Sequence, residues 1–210
     1  MGFDAYAQNW DTDKRIDRAR IIANEIGNSL DMDKVHTAME FGCGTGLISF
    51  NLHDRFREIT LVDSSEGMID ILRAKIHRHQ IDNMIPVHGT VNENLTNKKF
   101  DVIYSSMVLH HIHDIPAIVK YFYDLLRNDG YLCIVDLNEE DDSFHKEYPD
   151  FDGHNGFNQE ELSKALVRAG FDNIESNTFF LDEKTIEDTR IDYSLFLMKA
   201  RKYCNTSLME

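Results

Sequence analysis

The fold is decided by a short stretch that reads Glu40-Phe41-Gly42-Cys43-Gly44-Thr45-Gly46. An apolar, strand-like segment over 37–41 leads into it, and a helix-like run over 47–56 follows it. Glycines between a strand and a helix let the backbone approach a ligand without a clash at Cβ. Asp63 ends the next strand-like segment, 21 residues after Gly42 (63 − 42), a spacing that suits contact with ribose hydroxyls. The pattern indicates binding of an adenosine-type cofactor.

Length and composition are those of one globular domain, with 210 residues, 42% apolar and 28% charged. We therefore predict a single domain over residues 1–210. No apolar run approaches the roughly 18–20 residues of a membrane span, and the N-terminus lacks a basic region followed by an apolar stretch. Cys43, Cys133 and Cys204 are odd in number and far apart, which fits a reducing compartment. The sequence predicts a cytoplasmic protein without a membrane span.

The charge balance bears on the class of partner. The formal net charge is −15, from 37 acidic and 22 basic residues. Nucleic-acid affinity comes largely from Lys and Arg side chains that neutralise phosphates, so this excess of acid argues against a nucleic-acid partner. A small-molecule substrate is predicted instead.

Strand-like and helix-like segments alternate after the glycine stretch, which is typical of a parallel sheet with crossover helices. The predicted strands are residues 37–41, 59–62, 85–88, 100–105, 131–136, 174–180 and 192–200. The predicted helices are residues 11–30, 47–56, 65–79 and 115–126, and a further helix that Asn158 caps and Gly170 ends. The last two strands are joined by a short polar link, 181–190, which favours an antiparallel final pair because a parallel connection needs about a dozen residues or more.

Two segments outside this alternation are candidates for covering a site. Residues 1–30 carry Tyr6 and Trp10 ahead of the first helix, and these aromatic rings either form a lid or pack on the sheet. Residues 137–157 form a long polar loop after the fifth strand, and loops of that length in compact domains tend to be functional. We predict a helical cap or lid over 1–30 and a substrate-side loop over 137–157.

The glycine spacing differs from that of a dinucleotide-binding site. Its fingerprint, Gly-x-Gly-x-x-Gly, reserves the last position for a glycine that packs closely beside a pyrophosphate. Here the third glycine comes one residue early, at Gly46, and Leu47 occupies the reserved position. This weakens a reading as an NAD-dependent oxidoreductase, which stays open as an alternative.

Several further motifs follow the glycine stretch in a fixed order. They are Val62-Asp63-Ser64-Ser65-Glu66-Gly67-Met68, Phe100-Asp101-Val102-Ile103-Tyr104, Leu109-His110-His111-Ile112, and residues 130–136, 156–157 and 169–171. With Tyr6 and Trp10, they make the chain resemble the class I S-adenosylmethionine-dependent methyltransferases over nearly its whole length. Residues 142–145 and 153–157 are similar to the substrate-side insert of small-molecule methyltransferases of quinone biosynthesis. The resemblance implies a Rossmann-like α/β fold with a seven-stranded mixed sheet, order 3-2-1-4-5-7-6, strand 7 antiparallel and helices on both faces.

The resemblance also implies S-adenosylmethionine as cofactor and S-adenosylhomocysteine as product. It assigns the glycine turn to the methionine and ribose portions, Asp63 to the ribose hydroxyls, and Ser64 and Met68 to the adenosine surroundings. The family often has an acidic residue after the third strand, whereas this chain offers only the Thr90 hydroxyl or the Val91 backbone for the adenine amino group. The cofactor-binding residues predicted in this way are Glu40, Gly42, Gly44, Gly46, Asp63, Ser64, Met68, Thr90, Val91, Ser105, Tyr6 and Trp10.

Methyl transfer needs alignment of the acceptor and, for some acceptors, removal of one proton, which histidine does well because it titrates near neutrality. Candidate rings follow the fourth strand (His110, His111, His113) or lie in the loop after the fifth (His145, His154). We predict His154 first, then His145 and His110, as general base or substrate anchor, with a purely structural role as the alternative for each.

Oxygen ligands for Mg²⁺ or Ca²⁺ are offered by Asp136, Asn138 and the acidic run 139–142. No spaced calcium-loop pattern is present, and acidic runs of this kind are usually solvated loops. No metal is predicted.

The function predicted is S-adenosylmethionine-dependent methylation of a small molecule at oxygen, nitrogen or carbon. The alternatives are an NAD-dependent oxidoreductase and a non-catalytic protein that binds the cofactor.

Overall fold

The computed structural model describes residues 3–31, 36–90, 95, 98–141, 143–148, 150–186 and 188–203. The predictions that involve Val91, Asp142 and Cys204 lie outside the described residues. The chain groups into two compact units, Met1–Lys98 with Tyr104–Val108, and Lys99–Ile103 with Leu109–Glu210. A single domain over 1–210 stays a prediction.

The described residues form one seven-stranded sheet. Its strands are β1 (Thr37–Phe41), β2 (Glu58–Asp63), β3 (Met84–His88), β4 (Phe100–Ser106), β5 (Leu126–Leu137), β6 (Asp172–Ile186) and β7 (Thr189–Arg201). They are ordered β3-β2-β1-β4-β5-β7-β6, and β7 runs antiparallel to both of its neighbours. The predicted Rossmann-like mixed sheet and its antiparallel final pair are confirmed.

Five α-helices and three short 3₁₀ helices accompany the sheet in the described part of the chain. They are α1 (Asp13–Ser29), α2 (Ser49–Leu52), α3 (Glu66–His79), α4 (Ile115–Leu125), α5 (Gln159–Ala169), and the 3₁₀ helices Phe3–Asn9, His53–Arg55 and Leu109–His111. Asn158 caps α5 through its side chain, and Gly170 ends the helix with a φ of 105°, as the sequence predicted. None of these helices combines the length and apolar character that crossing a membrane requires.

In the first unit, β1, β2 and β3 are parallel neighbours. Phe41 pairs with Val62, and Asp63 pairs with His88, so the three strands end at one edge. Every residue of β1 is buried, including the polar Thr37 and Glu40, as expected for a parallel strand covered on both faces. The carboxyl edge of these strands is therefore where the glycine turn and Asp63 come together.

In the second unit, β7 lies between β5 and β6. Leu132 pairs with Ala200 on one side of β7, and Thr178 pairs with Phe196 on the other. Buried apolar residues of this unit include Val119, Phe122, Leu132, Ile134, Leu166, Phe171, Phe196 and Met198. These residues form the apolar core of the second unit.

Two secondary-structure predictions were wrong. Residues 47–56 are not one helix: turns occupy 47–48, α2 covers only Ser49–Leu52, and a 3₁₀ turn follows. The Asn51 side chain donates to the Leu47 carbonyl, a local bond of the kind that competes with regular helix. Residues 181–186 and 189–190 belong to β6 and β7 rather than to a link. Glu183 lies opposite Asp192, and the Tyr193 hydroxyl donates to Asp182 at 2.8 Å.

Candidate functional site

The glycine turn after β1 is bonded to the end of β2. The amides of Gly42 and Cys43 both donate to the Val62 carbonyl, at 2.8 and 3.0 Å. The backbone of Gly42, Gly44 and Gly46 has φ values of 72°, 51° and 81°, in the left-handed region that side chains other than glycine rarely adopt. The sequence therefore needs glycine at all three positions to make this turn.

The three glycines differ in the space around them. A Cβ on Gly42 would lie 2.3 Å from Cγ2 of Val108, and one on Gly46 would lie 2.6 Å from Cδ1 of Leu72. A Cβ on Gly44 would meet nothing nearer than the indole nitrogen of Trp10, at 3.7 Å. Gly42 and Gly46 serve close packing, whereas Gly44 leaves room for a Cβ, with the Trp10 indole in ordinary van der Waals range.

Asp63 connects the end of β2 to the glycine turn after β1. One carboxylate oxygen accepts the Gly44 amide at 2.7 Å and the other accepts the Ser65 amide at 2.8 Å. Burial raises the pKa of Asp63, while these two amides lower it. A carboxylate has about four acceptor positions, so each oxygen can still accept a hydroxyl. This arrangement fits the diol of a ribose lying against Gly44.

Glu40 is buried beneath the turn, on β1. Its carboxyl accepts the Ser49 hydroxyl, and that hydroxyl lies 2.6 Å from the Tyr104 hydroxyl. Burial raises the pKa of Glu40 to about 8, with the neighbouring Asp63 adding to the rise and Ser49 opposing it. The Glu40 side chain thus forms a buried polar network behind the turn and is 2% exposed.

The N-terminal segment is fastened to the same turn. Asp4 accepts the Ser65 hydroxyl at 2.6 Å and the Gly67 amide at 2.9 Å, at the start of α3. Asp11 accepts the Thr45 hydroxyl, and Lys75 donates to Asp11 at 2.7 Å. These bonds hold the segment across the glycine turn.

Trp10 lies within this anchored segment. Its ring has the Arg15 guanidinium 4.0 Å from its centre and meets Phe3 edge-on. These contacts hold the indole beside Gly44. Tyr6, by contrast, is 48% exposed.

The remaining predicted cofactor residues occupy different environments. Met68 is buried on α3, and Ser105 is buried with its hydroxyl donating to the Phe41 carbonyl at 3.0 Å. Ser64 and Thr90 are exposed, and the Ser64 carbonyl lies 3.2 Å from the His88 ring nitrogen. The structure brings Gly44, Asp63 and Trp10 together, and it uses Met68 and Ser105 in the interior.

The predicted histidines all belong to the second unit. His154 is half-buried, and its Nε2 donates to the Ile112 carbonyl at 2.9 Å, while its amide donates to the His110 carbonyl at 2.7 Å. The donated Nε2 proton leaves Nδ1 as the accepting nitrogen of the neutral ring. His154 therefore has one nitrogen in a structural bond and one with a lone pair.

His110 and His145 lie together with His111 in a cluster that we call the histidine cluster. His110 and His145 are buried, with ring centres 5.0 Å apart, and the His111 ring lies 4.1 Å from that of His110. Burial lowers the pKa of His111 to about 4 and that of His145 to about 3, with His110 adding to both shifts. The His145 ring stacks on Phe151, 3.7 Å between centres.

Sequence reasoning missed the partner of His110. Asp136, fully buried at the end of β5, places Oδ1 2.6 Å from the His110 Nδ1. The available signal was the strand order: β4 and β5 are adjacent in the predicted sheet, and both residues come at or after a carboxyl end. An acidic residue that ends one strand and a histidine just after its neighbour are expected to meet.

These features define a Rossmann-like α/β protein with a glycine turn after β1 that is bonded to a carboxylate at the end of β2. The sequence pattern of the methyltransferase-domain family matches residues 15–176, and the chain belongs to that family. An uncharacterised methyltransferase of Schizosaccharomyces pombe (strain 972) is 28% identical over 153 residues, covering 65% of this chain and 54% of that protein. The chain spans about half the length of the curated relatives it matches first.

Solved structures share the fold at lower identity. A phosphoethanolamine N-methyltransferase of Haemonchus contortus, in complex with S-adenosyl-L-methionine, has a TM-score of 0.71 and 15% identity, over 87% of this chain and 52% of that chain. A SAM-dependent methyltransferase of Thermotoga maritima has a TM-score of 0.71 and 19% identity, over 95% and 97% of the two chains. Neither the oxidoreductase nor the non-catalytic alternative gains support from these comparisons.

Proposed function

We propose that this chain binds S-adenosylmethionine and catalyses methyl transfer to oxygen, nitrogen or carbon of a small molecule, releasing S-adenosylhomocysteine. Membership of the methyltransferase-domain family supports the reaction class. The observation that carries the proposal is the Asp63 carboxylate, which accepts the Gly44 and Ser65 amides beside the one turn glycine without a close contact at its Cβ position. Such a site suits a ribose diol, and Leu47 stands at the position that the dinucleotide fingerprint reserves for its close-packing glycine.

When bound, S-adenosylmethionine supplies a methyl group on a sulfonium, whose carbon–sulfur bond breaks with its electron pair going to sulfur as the acceptor attacks. The protein then has to position the acceptor and exclude water. We assign Asp63 to the ribose hydroxyls and the Gly44 backbone to close contact with the nucleoside. The Glu40 network behind the turn keeps the turn in place through Ser49 and Tyr104.

Trp10 and the segment 1–30 act in this proposal as a cap over the cofactor. The bonds of Asp4 to the start of α3 and of Asp11 to Thr45 support it, because they hold the segment against the glycine turn. Tyr6 is exposed on the 3₁₀ helix Phe3–Asn9, which also carries Asp4, and belongs to the outer face of this cap.

His154 is our candidate for the group that removes the acceptor's proton. Its Nε2–H bond to the Ile112 carbonyl fixes the tautomer in which Nδ1 carries the lone pair, as a base requires. The loop 137–157 that carries it is the proposed substrate side. We infer an acceptor of the quinol-precursor type from the resemblance of 142–145 and 153–157. The net charge of −15 argues against a polyanionic substrate, and the cysteine usage agrees with a cytoplasmic location.

Calorimetry tests the cofactor first. We expect S-adenosylmethionine and S-adenosylhomocysteine to bind with one-to-one stoichiometry and NAD not to bind. Turnover would then be measured by S-adenosylhomocysteine release against phenols, amines and quinol precursors. Binding of NAD in place of both sulfur nucleosides would overturn the proposal, and binding without turnover on any acceptor would favour the non-catalytic alternative.

A further inference from the structure

The histidine cluster has a geometry that methyl transfer does not require. One nitrogen atom from each of His110, His111 and His145 lies within 4.8 Å of the others. Their ring centres are 4.1, 5.0 and 6.0 Å apart. Three imidazoles on a tetrahedral Zn²⁺, with Zn–N bonds of about 2.0–2.1 Å, have ring centres about 5 Å apart. The three rings are thus already near the separations that a shared ion imposes.

We propose that His110, His111 and His145 bind one divalent transition-metal ion, with Zn²⁺ as the ion whose chemistry suits the site. Imidazole nitrogens are ligands for Zn²⁺, Cu²⁺ and Ni²⁺ rather than for Mg²⁺ or Ca²⁺, which take oxygen ligands. Three protein ligands leave a fourth tetrahedral position for water or another small ligand. The sequence predicts no metal, so this site departs from that prediction. It does not include the acidic run 139–142.

Asp136 gives His110 the orientation that a ligand needs. Its Oδ1 lies 2.6 Å from the His110 Nδ1, so Nδ1 carries the proton and the Nε2 lone pair points away from the carboxylate. Histidine ligands usually donate their second nitrogen to a carboxylate or carbonyl in this way. Asp136 is itself fixed by the Leu137 amide at 2.8 Å and by the His110 amide at 3.3 Å.

His145 supplies an independent observation. The ring is 6% exposed, and its Nδ1 is buried without a hydrogen-bond partner among the described residues. A buried polar atom left unsatisfied costs about 1–3 kcal/mol, and native structures contain few of them. A metal ion bound by the cluster would satisfy this nitrogen if the ring presented Nδ1 to it.

The surroundings hold the three rings in place. Phe151 stacks on His145 with only 8° between the ring planes. A Cβ on Gly153 would lie 2.1 Å from the His110 carbonyl oxygen, so the loop after β5 packs directly on the backbone of the cluster. The His154 amide bonds that same carbonyl at 2.7 Å. The three nitrogens lie within 4.8 Å of one another and must close to roughly 3.3 Å on a tetrahedral Zn²⁺, and the packed surroundings limit the entropic cost of that adjustment.

The test is Zn²⁺ binding by the full chain after treatment with a chelator. We expect one equivalent by calorimetry in competition with a chromophoric chelator, and visible ligand-field bands of four-coordinate Co²⁺ when Co²⁺ replaces Zn²⁺. His145→Gln and His111→Gln are expected to weaken Zn²⁺ binding at least tenfold and to abolish the Co²⁺ bands. His113→Gln is the matched control, because His113 is exposed and outside the cluster, and it should bind as the unaltered protein does.

His111 is half-exposed, so His111→Gln decides the question if His145→Gln does not fold. The proposal is overturned if no equivalent of Zn²⁺ is retained, or if the His111→Gln protein binds Zn²⁺ and Co²⁺ unchanged. Neither outcome touches the proposed function, which is read separately from S-adenosylhomocysteine binding by the metal-free protein.

Discussion

The carboxylate of Asp63 accepts the amide of Gly44 at 2.7 Å, so the end of β2 is bonded directly to the turn that follows β1. The two residues are 19 positions apart in the sequence and come from neighbouring parallel strands. This bond fixes an acceptor beside Gly44, the one glycine of the turn whose Cβ position has no contact closer than 3.7 Å. Substitutions at Asp63 and at the turn glycines test the acceptor and the glycine of this arrangement separately.

Asp63→Ala is expected to weaken S-adenosylhomocysteine binding by about 1.5–3 kcal/mol, the contribution of hydrogen bonds to a charged group. Calorimetry measures the loss. Asp82→Ala is a suitable control, since Asp82 is an exposed acid of the same unit, just before β3. Equal affinity of the Asp63→Ala and unaltered proteins would mean that the ribose is held elsewhere.

Alanine substitutions in the turn should separate packing from binding. Gly42→Ala combines the left-handed φ with a clash against Val108, and we expect it to lower the free energy of unfolding by about 2–5 kcal/mol. Gly44→Ala has room for its methyl group, so it should cost only about 1–2 kcal/mol of stability. It should nevertheless abolish cofactor binding, because the methyl group fills the proposed ligand space.

Urea unfolding and calorimetry on both variants provide the comparison. A Gly44→Ala protein that binds S-adenosylhomocysteine with unaltered affinity would show that the nucleoside does not lie against this glycine.

Glu40 makes stability depend on pH in a defined direction. Burial raises its pKa in the folded protein from 4.5 to about 8, so the folded state holds this proton more tightly than the unfolded state. The resulting stabilisation is fully present below pH 4.5 and is lost as the pH rises through about 8. It is on the order of a few kcal/mol.

The measurement is urea unfolding at several pH values between 5 and 9 for the unaltered protein and for Glu40→Gln, which keeps the shape without the titrating proton. We expect the difference in unfolding free energy between the two proteins to change with pH in the stated direction. A difference that stays constant across this interval would show that Glu40 titrates normally.

Trp10 provides a direct optical signal for the cap. It is the only tryptophan of the sequence, and its indole lies beside Gly44. Binding of S-adenosylhomocysteine should therefore change the tryptophan fluorescence in a saturable way, with the same dissociation constant as calorimetry. If calorimetry shows binding and the emission does not move, the nucleoside lies away from Trp10 and the cap proposal fails.

His154→Gln separates a proton-transfer role from a structural one. The glutamine amide can still donate to the Ile112 carbonyl, but it cannot accept a proton in turnover. For acceptors that must lose a proton, we expect kcat to fall roughly 10²-fold or more while S-adenosylhomocysteine affinity is unchanged. His113→Gln, an exposed neighbour of the same residue type, should have the unaltered kcat, and an equally active His154→Gln protein would eliminate His154 as the base.

The parts of the fold that periodicity and glycine position determine could be predicted from the sequence. The strand Thr37–Phe41 and the helix between Asn158 and Gly170 have the predicted boundaries, because burial and side-chain capping are local signals. The hairpin arms of β6 and β7 were underestimated because their outer halves are stabilised by polar cross-strand pairs such as Asp182 with Tyr193. Hydrophobic patterns do not report such pairs.

The candidate site was predictable to a similar extent. Asp63 and the glycine turn follow from spacing, whereas the Asp136–His110 contact joins residues 26 positions apart and depends on tertiary structure. The room for a Cβ at Gly44 and the burial of Met68 and Ser105 likewise result from packing that single residues do not encode.

The position of β7 between β5 and β6 has a consequence for biosynthesis. Because β6 pairs with β7 and not with β5, a nascent chain that has left the ribosome only as far as β6 has no partner in place for that strand. The edge of β5 is likewise uncovered until the residues from Thr189 onward emerge. Both unpaired edges can recruit other polypeptides. Premature termination before Thr189 should therefore yield aggregated product, and slow translation of this segment should increase the demand for chaperones.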